Sequence, residues 1–231
     1  MSASKKVHPA PASGKVVGTI PSPGALAHAR KLPSGAVDFF ELRVDHFASD
    51  PQPLLRAAPT LSAPLIVTVR HAAEGGAAAL SSAERRKLFA LFLPHAEFID
   101  VELRSLPSLA ATVAEARERG VKLIISSHFF TSTPSLPRLE LLLRKARRGG
   151  GEVFKVATLT RNLADVLTLA RLLLQHPGVL MSVMGMGEYG KFSRLFLARA
   201  GSILNYGYLD VVQVPGQWPA ALLKERLAEL A

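Results

Sequence analysis

Short apolar runs alternate with longer amphipathic runs along almost the whole chain. The short runs are rich in Val, Ile, Leu and Phe, which is typical of buried strands. The longer runs repeat their apolar residues every three or four positions, which is typical of helices. The pattern predicts strands over 15–20, 38–45, 64–70, 98–103, 121–128, 152–158, 178–185 and 202–209. It predicts helices over about 24–32, 53–58, 81–93, 108–119, 135–147, 162–175, 191–200 and 219–230.

Start and stop signals support several of these helices. Ser81 or Ser82 precedes the run AERRKLF, and Glu84 follows at the position of a capping box. Asn162 precedes LADVLTL as a second candidate N-cap, and Gly120 follows EARER as a candidate C-terminal stop.

The strict alternation of eight strands with eight helices indicates a parallel sheet with helical crossovers. The segment GTIPSPG after the first strand lacks the glycine spacing of a dinucleotide-binding fingerprint, which argues against an open doubly wound sheet. We therefore predict a single-domain (β/α)8 TIM barrel over residues 15–231. A disordered lead-in over 1–14, rich in Pro, Ala and Ser, is expected to precede it.

Composition excludes several kinds of site. The chain has no cysteine, so it has no disulfide framework, no thiolate metal site and no cysteine nucleophile. No apolar run reaches the roughly 18 residues of a membrane span. The two lysines near the N-terminus are not followed by the apolar stretch of a secretory signal. We expect a cytoplasmic protein with no membrane partner.

The formal net charge of +10 raises the question of a nucleic-acid partner. Much of the excess lies in the predicted helices around 83–89 and 138–150, where no aromatic residue stands between the basic ones and no known nucleic-acid motif occurs. The pattern therefore favours a solvated basic surface and no nucleic-acid partner. The same charge would attract small anionic substrates.

Polar residues collect where the predicted strands end. In a barrel of this kind, the carboxyl ends of the strands and the loops after them form the active face. The residues at this end are Glu41, Arg43, Asp45, Arg70, Glu74, His128, Arg194 and Gln217. Lys155 lies within the otherwise apolar sixth strand. Because alternate side chains share a face, Glu41 should lie beside Arg43, and Lys155 beside Ala157.

Each of these residues also has a purely structural interpretation. Lys155 would then point outward or pair with a buried carboxylate, and His128 would be structural. Glu41 and Arg43 would form an interior ion pair, and Arg194 would pair with Glu188 at the surface. The convergence of so many polar residues on one mouth favours a site over these interpretations.

The residue types suggest the chemistry. A lysine amine attacks a ketone only when neutral, and apolar neighbours with nearby guanidinium groups would favour that form at Lys155. His128 is the natural proton carrier near neutral pH, and Glu74 would orient it. Several arginines at one mouth suit a substrate with a carboxylate. The pattern thus indicates a Schiff-base lyase or an aldolase acting on a hydroxylated keto acid, without choosing between them.

Six segments, taken in order, carry a family resemblance: FFELRVDHF, IVTVRHAAEGG, IISSHFF, VFKVAT, MGMGEYGKFSR and VPGQ. From Lys15 to the C-terminus the chain resembles type I 3-dehydroquinate dehydratase. The resemblance implies a (β/α)8 barrel that forms a homodimer and uses no metal or cofactor. It also implies conversion of 3-dehydroquinate to 3-dehydroshikimate in the shikimate pathway of aromatic amino-acid biosynthesis.

The resemblance also implies a role for each site residue. Lys155 would form an imine with the C3 ketone, while His128 would take a proton from C2 and return it to the departing C1 hydroxyl. Glu74 would orient His128. The implied substrate-binding residues are Glu41, Arg43 and Arg70 for the ring hydroxyls, and Arg194 and Gln217 for the carboxylate.

Two positions depart from the family pattern. Gln213 stands where a serine is common ahead of the PGQ run, and Thr19 keeps a hydroxyl, for substrate binding, where a serine is frequent. Two other functions stay open. A class I aldolase-like barrel would bind phosphate after strands seven and eight, where VPGQ is not a Gly-rich cradle. A catalytically inactive barrel that binds quinate-like acids is the other alternative.

Overall fold

A computed structural model of the chain describes residues 14–230, so residues 1–13 of the predicted lead-in lie outside the described part. Eight strands alternate with eight α-helices in this part. The strands are β1 Lys15–Ile20, β2 Phe39–Arg43, β3 Leu65–Thr68, β4 Ala96–Glu102, β5 Lys122–Phe129, β6 Val153–Leu159, β7 Met181–Met186 and β8 Leu204–Tyr208. The helices are α1 Pro23–Ala29, α2 Gln52–Ala57, α3 Ser82–Phe92, α4 Ala110–Glu118, α5 Leu136–Arg148, α6 Leu163–Gln175, α7 Gly190–Arg199 and α8 Ala220–Glu229.

The strands form one parallel sheet in the order β7-β6-β5-β4-β3-β2-β1-β8, which curls into a barrel. The seam between β7 and β8 is held by single contacts. The Ile203 backbone N–H donates to the Met181 carbonyl at 2.9 Å. The Ser182 hydroxyl donates to the Leu204 carbonyl at 2.7 Å, and the Val183 N–H donates to the Ser202 hydroxyl at 2.9 Å. The predicted (β/α)8 barrel is confirmed.

Two apolar regions hold the barrel together. The larger one lies between the strands and the helices and includes the fully buried rings of Phe40, Phe89 and Phe92. Fully burying one such side chain stabilises the fold by about 1.5–3 kcal/mol. The smaller region fills the barrel interior and includes Val17, Ile66, Phe98, Ile124, Val153 and Leu204. With one part of the interior filled by apolar side chains, the polar inward residues gather towards the carboxyl ends of the strands.

The predicted helix signals are confirmed. Ser81 is the N-cap of α3, and its side chain accepts from the Glu84 N–H while the Glu84 carboxylate accepts from the Ser81 N–H, a complete capping box. Asn162 caps α6 by accepting from the Asp165 N–H. Gly120 has φ +71° just after α4, a conformation that glycine adopts without steric cost.

Most strands differ from the prediction by one to three residues at an end, and three of these differences bear on the site or on a turn. β2 ends at Arg43 because residues Val44–Phe47 form a 3-10 turn. β3 ends at Thr68 rather than at residue 70, since the next residues leave the ladder towards the cavity. The buried Asp45 carboxylate accepts from the backbone N–H groups of Arg70, at 3.2 Å, and Ala77, at 3.0 Å. β7 begins at Met181, after a turn in which Gly178 has φ +81°.

Candidate active site

One cavity of about 310 Å³ opens where the strands end, and all nine predicted site residues line it. They are Thr19, Glu41, Arg43, Arg70, Glu74, His128, Lys155, Arg194 and Gln217. Apolar side chains complete the wall, among them Met184, Met186, Tyr206 and the half-exposed Phe130. The structure therefore brings together residues from all parts of the chain at the face that the barrel predicts for a site.

Lys155 lies in the middle of β6 and is 4% exposed. Its Nζ is 2.9 Å from Asp100 Oδ2 and 3.1 Å from Glu41 Oε1. The centroid of the Tyr206 ring lies 3.7 Å from the same nitrogen. The expected apolar strand neighbours are present, and the Arg70 guanidinium shares Asp100 with Lys155, but the two carboxylate partners were not expected. The outward-pointing alternative was wrong, and the alternative of pairing with a buried carboxylate is confirmed. In the resting site, the Lys155 side chain pairs with two buried carboxylates while also lining the cavity.

The pairing of Lys155 belongs to a longer buried network. Arg70 donates to both Asp100 oxygens, at 2.8 and 3.0 Å, and to Glu102 at 3.2 Å. Glu102 also pairs with the buried Arg85 at 2.6 Å. Burial alone would raise the pKa of Asp100, but the charges of Arg70 and Lys155 outweigh it and hold that pKa well below its usual range. Opposite charges thus alternate from the cavity towards α3.

His128 and Glu74 form a close pair at the cavity wall. Glu74 Oε2 accepts from the His128 backbone N–H at 3.0 Å and lies 3.0 Å from the ring Nδ1. Burial, together with the charges of Arg70 and Lys155, lowers the pKa of His128 well below its ordinary value. Burial raises the pKa of Glu74 to about 7. The imidazole is therefore neutral near pH 7, and an ionised Glu74 would accept its Nδ1–H, which leaves the Nε2 lone pair free as a base.

Arg194 lies on α7 and is 1% exposed. Its guanidinium donates to the carbonyls of Tyr206, at 2.9 Å, and Gly216, at 3.3 Å. Among residues 14–230, no carboxylate pairs with it, so the alternative of a surface pair with Glu188 is wrong. Burial lowers its pKa to about 10, which still leaves it charged at neutral pH. A buried cation on a cavity wall, whose partners are two carbonyls and the Met184 Sδ at 3.5 Å, is suited to an anionic ligand.

Arg43 and Thr19 also line the cavity, and they differ in their hydrogen-bond partners. The Arg43 guanidinium is held bidentately by Asp45, through contacts of 3.0 and 2.8 Å. An interior ion pair between Glu41 and Arg43 was therefore the wrong alternative. Thr19 is buried, and its hydroxyl has no hydrogen-bond partner within the described part of the chain.

The loop after β8 supplies two amide side chains. Gln217 Oε1 accepts from the backbone N–H groups of Gln213, at 2.8 Å, and Val214, at 3.3 Å. This orientation leaves the Gln217 amide N–H groups available to a ligand. Gln213 also lines the cavity, and its own amide donates to the Val211 carbonyl at 3.0 Å.

Comparison with known proteins matches residues 21–231 to the family described as type I 3-dehydroquinase. The chain belongs to this family. A relative described as a 3-dehydroquinate dehydratase, from Methanothermobacter thermautotrophicus, is 32% identical over 202 residues, 87% of this chain and 88% of the relative. A catabolic 3-dehydroquinate dehydratase from Acinetobacter baylyi is 29% identical over 217 residues, 88% of this chain and 80% of the relative.

Solved structures agree with the assignment to the type I 3-dehydroquinase family. A crystal structure of the type I 3-dehydroquinate dehydratase from Clostridium difficile, with covalent modified comenic acid, superposes with a TM-score of 0.86. It is 26% identical, and the match covers 96% of this chain and 94% of that one. A 3-hexulose-6-phosphate synthase has a TM-score of 0.58 at 14% identity, which shows a shared fold alone.

Several residues of this type I 3-dehydroquinase site were not anticipated from the sequence. Asp100 and Glu102 carry the buried network, yet the run FIDVEL was interpreted only as a strand. The two acids alternate with apolar residues as Glu41 and Arg43 do, so the same period-two signal was available. Tyr206 had no comparable signal, because an aromatic residue in a strand is ordinarily a core residue.

Among the described residues, none of the helices combines the length and the apolar character needed to cross a bilayer.

Proposed function

We propose that this chain is a 3-dehydroquinate dehydratase, a hydro-lyase that converts 3-dehydroquinate to 3-dehydroshikimate and water. The observation that carries the proposal is one cavity that holds a buried lysine, a His–Glu pair and a buried guanidinium facing no carboxylate among the described residues. The names of the relatives, 3-dehydroquinate dehydratases, support the same substrate.

The first step joins Lys155 to the C3 ketone of the substrate. The resting ammonium loses a proton, which we assign to the neutral imidazole of His128 in the same cavity. The amine nitrogen then bonds to C3, and the ketone oxygen takes one proton from that nitrogen and the proton held by His128. The oxygen leaves as water, which gives an iminium and returns His128 to its neutral form. The iminium is the electron sink for the steps that follow.

The second step eliminates water across C1 and C2. His128 removes the C2 proton, and the C–H electrons form an enamine with the iminium. The C1–O bond then breaks as His128 returns its proton to the departing hydroxyl, which leaves as water. The electrons shift to a C1–C2 double bond, and hydrolysis of the imine releases 3-dehydroshikimate. Glu74 acts by holding the imidazole through Nδ1.

The substrate's polar groups match the remaining side chains. We place the carboxylate at Arg194, where it would satisfy a buried guanidinium, with the Gln217 amide beside it. Glu41, Arg43, Arg70 and the Thr19 hydroxyl line the cavity and would hold the ring hydroxyls. Gln213 takes the position of the family's usual serine with an amide in place of a hydroxyl.

The activity is tested directly by adding 3-dehydroquinate to the purified protein and recording the ultraviolet absorbance of the conjugated enone. Growth of that absorbance is expected in wild type and not in Lys155→Ala. An aldolase would instead cleave phosphorylated sugars, and an inactive barrel would bind quinate-like acids without turnover. Either result would overturn the proposal.

We also propose that the enzyme is a cytoplasmic homodimer serving the shikimate pathway. An apolar surface lies on α6 and α7, where Leu163, Leu167 and Leu174 are 44–67% exposed and the Phe192 and Phe196 rings stack at 5.6 Å. Exposed apolar patches of this kind are suited to association. Sedimentation should give twice the monomer mass, and Phe192→Lys should shift the protein towards monomer.

A further inference from the structure

The geometry points to Asp100 as a further catalytic residue, the counter-ion that keeps the Lys155 imine protonated. This inference rests on the proposed function, because it assumes that Lys155 forms the imine. Asp100 touches the reacting nitrogen directly, with its Oδ2 2.9 Å from Lys155 Nζ. It lies on β4, between the apolar residues Ile99 and Val101, and is fully buried.

The position of Asp100 is held by three groups. Arg70 donates to both of its oxygens, at 3.0 and 2.8 Å, and the Ser126 hydroxyl donates to Oδ1 at 2.6 Å. A carboxylate held in this way at the middle of a strand has little freedom to turn elsewhere. Its Oδ2 therefore stays next to the nitrogen throughout the reaction.

The number of hydrogens on the Lys155 nitrogen distinguishes the role of Asp100 from that of Glu41. The resting ammonium has three N–H groups and donates to both carboxylates, whereas an iminium has a single N–H and can donate to one. Glu41 lines the cavity, where substrate hydroxyls can take over its contacts, but Asp100 is not part of the cavity wall. The single iminium N–H is thus assigned to Asp100, and Glu41 is released to the substrate.

The protonation of the imine matters for the elimination. A protonated iminium accepts the electrons of the C2–H bond, whereas a neutral imine is a poor acceptor. A carboxylate in contact with the nitrogen favours the protonated form, and an opposite charge at this distance typically moves a protonation equilibrium by about 1–3 pH units. Without Asp100, the imine should lose its proton, and the enzyme its activity, at lower pH.

The test compares Asp100→Asn with Glu102→Gln by measuring kcat for 3-dehydroquinate against pH. Glu102 is the matched control because it is also fully buried on β4 and pairs with Arg70, but it does not contact Lys155. Since kcat reports groups in the enzyme–substrate complex, its alkaline limb should move down by about 1–3 units in Asp100→Asn. In Glu102→Gln the limb should stay at the wild-type pH, whatever the loss in kcat.

Two further variants keep the inference testable if Asp100→Asn does not fold. Asp100→Glu keeps the charge and should keep the wild-type alkaline limb at a reduced kcat. Glu41→Gln should also keep that limb. A downward shift in Glu41→Gln, or an equal shift in Glu102→Gln, would overturn the assignment to Asp100.

Borohydride trapping distinguishes this failure from failure of the proposed function. If wild type with substrate gives no Lys155 adduct, the proposed mechanism itself is wrong, and the counter-ion with it. If wild type gives the adduct and the alkaline limb of Asp100→Asn matches that of Glu102→Gln, the proposed dehydratase function holds and the role of Asp100 is only structural.

Discussion

At the scale of single residues, the cations that line the cavity differ in their partners: one of them has no carboxylate partner among the described residues, and the others do. Lys155 and Arg70 share Asp100 and have Glu41 within 4.0 Å, so both have carboxylate partners without a ligand. Arg194 has two carbonyls and the Met184 sulfur as partners within residues 14–230 and would gain an ion pair only with an anionic ligand. This difference predicts where the substrate's carboxylate contributes most to binding.

Arg194→Ala should raise KM for 3-dehydroquinate by about ten- to a few-hundred-fold, since a charge-assisted hydrogen bond contributes roughly 1.5–3 kcal/mol. Arg194→Lys should recover only part of the loss, because an ammonium lacks the planar fork. The exposed Arg199, at the end of the same helix, provides the control: Arg199→Ala should leave KM unchanged. Unchanged KM in Arg194→Ala would place the carboxylate elsewhere.

The Glu74–His128 pair predicts the acid limb of the pH profile. Burial raises the pKa of Glu74 to about 7, and below that pH the protonated carboxyl no longer accepts the Nδ1–H. In wild type, kcat/KM should therefore fall as pH drops through about 7. Glu74→Gln cannot titrate, so this inflection should disappear. Above about pH 7 its kcat/KM should be lower than that of wild type, by less than the roughly 10²–10⁴-fold expected for His128→Ala. An inflection that is unchanged in Glu74→Gln would show that a group other than Glu74 titrates there.

At the scale of elements, helix starts are among the features most directly readable from the sequence. Ser81 caps α3 with its side chain, while Ser82 is already the first helical residue. Ser81→Ala should lower the free energy of unfolding by about 1 kcal/mol, because an orphan N–H loses its acceptor. Ser82→Ala is the matched control and should change it by less than about 0.5 kcal/mol. Urea unfolding of both variants checks the prediction, and equal effects would contradict the capping geometry.

The order and type of every strand and helix followed from the hydrophobic pattern, because each helix buries one face while the strands are buried on both. The end of β2 was less predictable, since Asp45 leaves the ladder to bind backbone groups distant in sequence. The sequence identified Glu41 and His128 as site residues at strand ends, but it did not identify Glu41 and Asp100 as the partners of Lys155. Those partners come from β2 and β4, and contacts between separate strands leave no local pattern that identifies them.

At the scale of the whole molecule, buried carboxylates set the response of stability to acid. Burial would raise the pKa of Asp45, but Arg43 lowers it below the ordinary 3.8. Burial would likewise raise the pKa of Glu102, but Arg70 and Arg85 lower it below the ordinary 4.5. Asp100 is lowered as well. A lowered folded-state pKa contributes stability above the unfolded value and loses it as pH falls through the folded value.

The free energy of unfolding should therefore fall steeply as pH drops below about 4. Between about 4.5 and 7 the slope should be small, because the raised pKa of Glu74 and the lowered pKa of His128 act in opposite directions. Asp45→Asn should be less stable at pH 7 but lose less between about pH 5 and 3 than wild type. The exposed Asp50 provides the control Asp50→Asn, which should follow wild type. An acid slope unchanged in Asp45→Asn would contradict this account.

The central claim is that Lys155 bonds covalently to the substrate within this barrel. The most direct test is to add borohydride to the protein with 3-dehydroquinate and to locate the adduct by peptide mass spectrometry. Reduction of the imine is irreversible, so we expect one stoichiometric label, on Lys155, and none without substrate. A label on the exposed Lys122 or Lys145, or no label from an enzyme that turns over, would contradict it.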